Sequence, residues 1–363
     1  MRIQAAVMRD QSGHFDLAEL DLEEPQADEL LVRVVASGIC HTDLAMFERP
    51  AMPRPMVLGH EGAGVVERVG ANVSAVQLGD HVLLSYDACG RCSLCASGHP
   101  AYCRDARPLN FSGSRPDGTS ALSEDGSMMN GHFFGQSSFA SHAIVTERNI
   151  VKVDPALPLD LLAPLGCGIQ TGTGAVLNVL APAPGSSIAI FGAGSVGLSA
   201  LLAAKVARCE TIVAVDIKQS RLDAALELGA SHVIDATSTE DVAAELRRIM
   251  SGHGVQYAFS STGNPESLRQ AIEGLDSMGT AAFVSGGTDA SIPTSTLLWG
   301  RTLKGVVQGD AVPQSFLPRL IDLWQRGEFP FDRLITHYDF ADINVASQAS
   351  LSGEIIKPVL RFT

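Results

Sequence analysis

Ile188-Ala189-Ile190-Phe191-Gly192-Ala193-Gly194-Ser195-Val196-Gly197 decides the reading of this 363-residue chain. Four apolar residues run into G-x-G-x-x-G, and an apolar helical pattern opens at Leu198. The first glycine permits a tight turn, the second lets a pyrophosphate approach the backbone, and the third lets helix and strand pack closely. An anion then meets the free N–H groups at the helix N-terminus. Alone the string is weak. Here a second apolar run, 211–215, ends in Asp216, 19 residues beyond Gly197. A carboxylate there bonds ribose hydroxyls and repels a 2′-phosphate. The bland alternative is a tight β–α turn with a solvated aspartate.

Working outward, short apolar runs at 187–191, 211–215, 232–234, 257–260 and 281–285 alternate with helical patterns such as 220–228 and 241–250. That alternation predicts an α/β arrangement, a doubly wound parallel sheet covered on both faces. Residues 1–150 read differently. Runs at 30–35, 64–69 and 81–85 are short, apolar and bounded by turn formers, as in a β-rich domain. Residues 110–131 read as a polar, glycine-dotted loop. After 293 the texture is mixed, with a helix near 313–326 and a strand near 355–362. The expected boundaries are 1–154, 155–294 and 295–363.

Composition excludes several classes. Apolar residues are 45% of the chain and charged residues 18%, enough for sizeable cores and against disorder. The net charge of −14 argues against nucleic acid or an anionic membrane as partner, since either needs a basic face. Residues 161–204 carry no charge, but Pro182, Pro184 and Gly185 interrupt them, so a buried interior fits better than a membrane span. Nothing in MRIQAAVMRD resembles a signal peptide, so a cytoplasmic chain with reduced thiols is expected.

The cysteines then read as metal ligands. Cys89-x-x-Cys92-x-x-Cys95-x7-Cys103 offers four thiolates to one tetrahedral Zn²⁺, a closed and therefore structural site. Free thiols or an iron–sulfur cluster are the alternatives. Cys40, His60 and Cys167 are scattered, each in a glycine-marked stretch. Together they make a three-ligand zinc site with an open position. Singly, Cys167 reads equally well as a small buried hydrophobe and His60 as a hydrogen-bonded core histidine.

Gly59-His60-Glu61, the Cys89–Cys103 cluster, Cys167-Gly168-Ile169-Gln170-Thr171-Gly172 and Gly192–Gly197 with Asp216 occur in one order. In that order the chain resembles the zinc-dependent medium-chain alcohol dehydrogenases over essentially its whole length. The stretches 110–113 and 133–139 are most similar to bacterial aryl-alcohol dehydrogenases. The resemblance implies a Rossmann domain inserted in a GroES-like catalytic domain, two zinc ions and NAD. It implies reversible oxidation of a primary aromatic or allylic alcohol, by hydride transfer from a zinc-bound alkoxide to nicotinamide. A terpenoid, aliphatic or glutathione-linked formaldehyde dehydrogenase is the alternative. The implied catalytic zinc ligands are Cys40, His60 and Cys167, with Glu61 close to the metal and Asp43 orienting His60. Thr42 would take the hydroxyl proton. Many relatives carry a histidine where Ala45 stands. His41 would contact the pyrophosphate, Thr171 and Val196 the nicotinamide end, Arg221 the adenosine and Arg361 a phosphate. Phe134 and Val307 are candidate apolar walls, with room left by Ser85 and Thr42. A homo-oligomer, a tetramer before a dimer, is expected by analogy.

Overall fold

The computed structural model describes residues 1–285 and 289–362. It divides into two compact units: Met1–Cys167 with Val312–Asp322 and Asp332–Thr363, and Gly168–Ala311 with Leu323–Phe331. The boundaries near 167 and 311 fall later than the changes in sequence texture. Helix Leu159–Leu162 and the turn after it pack on the strands of the first unit, and strand Thr302–Gly305 belongs to the sheet of the second.

The second unit carries a six-stranded, all-parallel sheet. Its spatial order is His232–Asp235, Thr211–Asp216, Ser187–Phe191, Val255–Ser260, Leu275–Phe283, Thr302–Gly305. The chain therefore starts in the middle, winds outward one way and returns to wind outward the other. That doubly wound order leaves a crevice where strands one and four part, beyond their carboxyl ends. All five residues of Ser187–Phe191 are buried, as a strand covered on both faces requires. Helix Ser195–Val206 buries every residue from Gly197 to Ala204. Side chains stop the neighbouring helices from fraying: Asp241 accepts from Ala244 N at 2.8 Å, and Asn264 accepts from Glu266 N at 2.8 Å just before Pro265.

The first unit holds two sheets. In the larger, six strands run in the order Ile150–Val153, His81–Leu84, Gly62–Val69, Glu29–Gly38, Lys357–Arg361, Ile335–Asp339, with His142–Thr146 also pairing Glu29–Gly38. Two registers place the site: Ser37 lies opposite Gly62, and Gly38 opposite Val359. The smaller sheet contains Met56–Val57, Arg2–Met8, Phe15–Leu22, Leu122–Glu124 and Ser127–Met129. Its core includes Phe15, edge-on to Phe47 at 4.9 Å and to Phe139 at 5.6 Å.

The expected loop 110–131 is a correction. It contains a hairpin, Leu122–Glu124 with Ser127–Met129, turned by Asp125 and Gly126 at φ 48° and 78°. Asp-Gly is the residue pair such a two-residue turn prefers. The strands are three residues long and mix apolar with polar residues, too short for their alternation to register. Among the described residues, no helix is long and apolar enough to cross a membrane.

Candidate active site

Cys40 follows the carboxyl end of Glu29–Gly38, and His60 and Glu61 precede the antiparallel neighbour Gly62–Val69. Adjacent ends of two strands thus meet, and Cys167 joins them where Gly166 passes Leu84 so closely that a Cβ on Gly166 would lie 2.0 Å from the Leu84 carbonyl oxygen. The ligating atoms of Cys40, His60, Glu61 and Cys167 all lie within 4.8 Å of one another.

Asp43 fixes this arrangement. Fully buried, it accepts from Cys40 N at 3.0 Å and Gly59 N at 3.1 Å, and its Oδ1 lies 2.9 Å from His60 Nδ1. A carboxylate at Nδ1 puts the proton there and leaves Nε2 as a lone-pair donor. Nε2 is buried and has no hydrogen-bond partner. Leaving such an atom unsatisfied costs about 1–3 kcal/mol. Two thiols and an imidazole converge on the same point, and that donor set fits zinc. Electrostatics agree. A hydrogen bond with Cys167, helped by His60, holds the Cys40 thiol well below the usual thiol range. Burial alone would lower His60, but Asp43 and Cys40 outweigh it and raise the imidazole well above its ordinary value, so the site favours a positive charge at Nε2, whether a proton or a metal ion competing for the same lone pair.

Glu61 differs from the other three. Both its oxygens accept from Lys357 Nζ, at 3.0 and 2.9 Å, and Lys357 also donates to Ile39 O at 3.1 Å. Both side chains are buried. Gly38 makes room: a Cβ there would lie 2.1 Å from Glu61 Oε2. Sequence reasoning missed Lys357. Its only sequence signal is a lysine opening the short strand near the C-terminus, just before three apolar residues.

Aromatic rings wall the set. Phe134 stacks on His60 at 4.4 Å and 23°, and Phe133 meets the same ring edge-on at 5.5 Å. Phe111 packs edge-on against both phenylalanines, at 5.8 and 5.0 Å. The backbone beneath is left-handed at His132, Phe134, Gly135 and Ser137. Such residues persist only when their surroundings over-determine them. Here the buried Gln136 donates to the carbonyls of His60 and Ser85 at 3.0 and 3.1 Å, and Ser137 Oγ donates to Val57 O at 2.7 Å. Ser85 is occupied structurally, donating to Gly166 O at 2.7 Å.

The second set is Cys89, Cys92, Cys95 and Cys103, whose sulfurs also lie within 4.8 Å of one another. Sγ atoms of Cys92 and Cys95 are 3.5 Å apart and those of Cys89 and Cys95 4.0 Å. A tetrahedron with Zn–S bonds of about 2.3 Å has edges of about 3.8 Å, so these separations fit four thiolates on one ion. Backbone N–H groups of Cys89 and Asp105 donate to Cys103 Sγ, and that of Cys92 to Cys89 Sγ. The N–H of Arg104, then that of Cys95, pull the Cys92 thiol down to about 6, whereas burial and its thiol neighbours push Cys95 up. One negative sulfur disfavours the next until a cation balances them.

In the second unit, Gly192 has φ 89°, and a Cβ on Gly197 would lie 1.7 Å from Gly192 O. Both glycines are therefore required for turn and helix to coexist. Asp216 accepts from Ala193 N at 2.6 Å, Ile217 N at 2.8 Å and Lys218 N at 2.9 Å, which fixes its carboxylate beside the glycine turn. A Cβ on Gly194 would lie 4.0 Å from Arg221 Nη1, so Arg221 flanks the same turn. Helix Gly168–Gly174, with Thr171, crosses the start of the next helix, where a Cβ on Gly172 would lie 1.9 Å from Val196 O. Val307 is half exposed. In the first unit, His41 is exposed and Thr42 half-buried on the short helix His41–Ala45. Arg361 pairs with Asp160 at 2.6 Å.

Comparison with known proteins follows the same division. The alcohol dehydrogenase GroES-like domain family matches residues 26–155, and the zinc-binding dehydrogenase family residues 195–326. Geraniol dehydrogenase of Castellaniella defragrans is 45% identical, over 99% of this chain and 97% of its own. The crystal structure of an alcohol dehydrogenase zinc-binding domain protein from Burkholderia ambifaria shares 50% identity at a TM-score of 0.97, covering 100% of this chain and 99% of that one. Benzyl alcohol dehydrogenase of Acinetobacter calcoaceticus shares 46% identity at a TM-score of 0.96, with both chains covered completely.

Proposed function

The chain belongs to the zinc-dependent medium-chain alcohol dehydrogenase family, and from that premise we propose that it oxidises primary aromatic or allylic alcohols of the benzyl type with NAD, reversibly, to aldehydes. The observation that carries the substrate class is the aromatic wall: Phe134 lies flat on His60 and Phe111 packs across it. A planar, apolar group on the alcohol carbon suits that surface. The relatives named for geraniol and benzyl alcohol support the same class, because each alcohol carries its hydroxyl beside a π-system. Geraniol also keeps a terpenoid alcohol as the nearest alternative.

Cys40, His60 and Cys167 would hold the catalytic zinc, and Cys89, Cys92, Cys95 and Cys103 the structural one. When bound, zinc supplies Lewis acidity toward the alcohol or carbonyl oxygen, and NAD supplies the hydride acceptor. Asp43 keeps His60 in the tautomer that ligation needs. Lys357 neutralises Glu61, so the buried set does not carry its charge uncompensated. Thr42, on the helix that starts beside Cys40, is the first acceptor of the hydroxyl proton in this reading. Ala45 holds no proton, so the relay ends elsewhere. His41 serves the pyrophosphate, Thr171 and Val196 the nicotinamide end, Arg221 the adenosine. Arg361 reaches a phosphate only by leaving Asp160. Asp216 selects NAD, since the 2′-phosphate of NADP would bring a dianion to a fixed carboxylate. A homo-oligomer in a reducing, cytoplasmic compartment belongs to the same reading. Exposed Met278, Leu298 and Trp299 support self-association.

The test is a matrix of alcohols and cofactors. Benzyl alcohol with NAD is expected to give a higher kcat/KM than ethanol or S-hydroxymethylglutathione, and NADP a much lower one. Ethanol turning over as well as benzyl alcohol overturns the substrate class. Equal efficiency with both cofactors overturns the role of Asp216.

A further inference from the structure

We infer that Asn110 makes the four-cysteine lobe a positioning element for the aromatic wall beside His60, so that the lobe helps to set how the ring of the substrate fits. The inference rests on the aromatic-substrate reading above and goes beyond it, because it gives the lobe a part in recognition.

The link is a short chain of contacts within the first unit. Asp87 stands two residues before Cys89. Its N–H donates to Asn110 Oδ1 at 2.9 Å, and its carbonyl accepts from Asn110 Nδ2 at 2.9 Å. The amide of Asn110 thus closes on both polar groups of one peptide residue, as a neighbouring strand would. Nδ2 also donates to Ala106 O at 2.7 Å, which ties the clamp to the start of helix Ala106–Phe111. Asn110 is 3% exposed, so solvent offers these groups no substitute partner.

The same helix begins just past the lobe's last cysteine. Asp105 N, immediately before it, and Cys89 N both donate to Cys103 Sγ. The lobe therefore grips the helix at two places, through Cys103 at its start and through Asp87 at its end. The residue after Asn110 is Phe111, whose ring lies 5.0 Å from Phe134, which lies 4.4 Å from His60. A second contact runs beside the first. A Cβ on Gly135 would come within 3.0 Å of Asp87 Cβ and of Asn149 Nδ2, and Asn149 donates to Gly135 O at 2.9 Å. Asp87 is thus pressed against the left-handed turn that carries Phe134. Arg148 holds it there, pairing with its carboxylate at 3.2 Å.

A chain of rigid contacts of this kind moves the wall when the lobe moves. Releasing the clamp while both zinc sets stay intact separates positioning from stability. We would compare the NADH complexes of the unmutated protein, Asn110→Ala and Phe111→Ala by calorimetric titration with benzamide and with propionamide, two unreactive carbonyl probes that differ in the ring. Elemental analysis of the same samples gives zinc per chain. The expected result is two zinc ions in each protein and about a fivefold loss of benzamide affinity in both variants, the scale of one lost aromatic pair. Propionamide affinity is expected to change less than about twofold. Phe111→Ala leaves the Asp87 clamp in place and covers the case in which Asn110→Ala does not fold. If Asn110→Ala keeps full benzamide affinity, or loses both probes equally, the lobe does not position the wall. If the unmutated protein itself fails to prefer benzamide, the aromatic-substrate reading falls instead.

Discussion

Two groups of sulfur ligands sit in one structural unit and are built by opposite means. Cys89, Cys92, Cys95 and Cys103 come from a single loop, three of them only half-buried, and are held by N–H groups from within that loop. Cys40 and His60 come from two strand ends and Cys167 from the turn before helix Gly168–Gly174; all three are buried, and Asp43 orients the first two. The first arrangement is local and closed, so its loss is expected to cost mainly stability. The second is non-local and leaves a lone pair aimed inward, so its loss is expected to cost mainly chemistry.

The sharpest way to break that contrast is to exchange the consequences. Cys167→Ser is expected to lower kcat for alcohol oxidation by at least about 10³, because several kcal/mol of charge stabilisation depend on the metal. Its thermal unfolding should change little. Cys92→Ser should do the reverse, costing about 4 kcal/mol or more of stability through an opened metal site, with the surviving folded fraction active. Each variant should retain one zinc per chain by elemental analysis. If Cys92→Ser abolished turnover at full stability, the two roles would be misassigned.

A smaller effect tests the ion pair that only the buried set possesses. Lys357→Met leaves the Glu61 carboxylate buried without its partner, which is expected to cost about 3–5 kcal/mol in denaturant unfolding. Adding Glu61→Gln removes the stranded charge and should recover most of the loss. Failure of the double variant to recover would mean that Lys357 acts by packing alone.

Smaller again is the support beneath the ligands. Asp43→Asn keeps the shape but loses the carboxylate at His60 Nδ1, and zinc affinity should fall about 10–100-fold in competition with a chelator. The lobe zinc, measured in the same titration, should not respond. Cys209 is the internal control. It lies outside both clusters, and burial raises its thiol to about 11. Cys209→Ser should leave zinc content and activity intact and shift stability by no more than about 0.5 kcal/mol.

The same contrast explains what the sequence reveals. Local chemistry is legible: the Cys89–Cys103 spacing and the Gly192–Gly197 turn each occupy one short stretch, and each returns as an ordered cluster or turn. The alternation that predicts a parallel sheet is local too, one strand and one helix at a time. Cys40, His60 and Cys167 are visible one by one, but only strand pairing brings them together, and no spacing encodes the pairing of Ser37 with Gly62. Lys357 is harder still, because a lone lysine in a C-terminal strand reads as a solvent-facing charge. Arg361 shows the same limit for an ion pair. Its charge is plain in the sequence, but its partner Asp160 lies two hundred residues away. The hairpin at 122–129 is signalled by Asp125-Gly126, but its three-residue strands are too short to announce themselves.

The strand Lys357–Arg361 also places the two ligand groups in time. On a ribosome, the lobe has all its ligands once residue 103 has emerged. The buried set lacks the partner of Glu61, and the pairing of Gly38 with Val359, until residues beyond 357 are free to fold back. At about 5–20 residues per second, that interval lasts about 10–50 s. Throughout it, a nascent chain carries all four lobe cysteines while the buried set still lacks the strand that pairs with Gly38 and the lysine that pairs with Glu61. Position along the chain alone therefore separates the two groups, one complete within fifteen residues and the other only when nearly the whole chain is present.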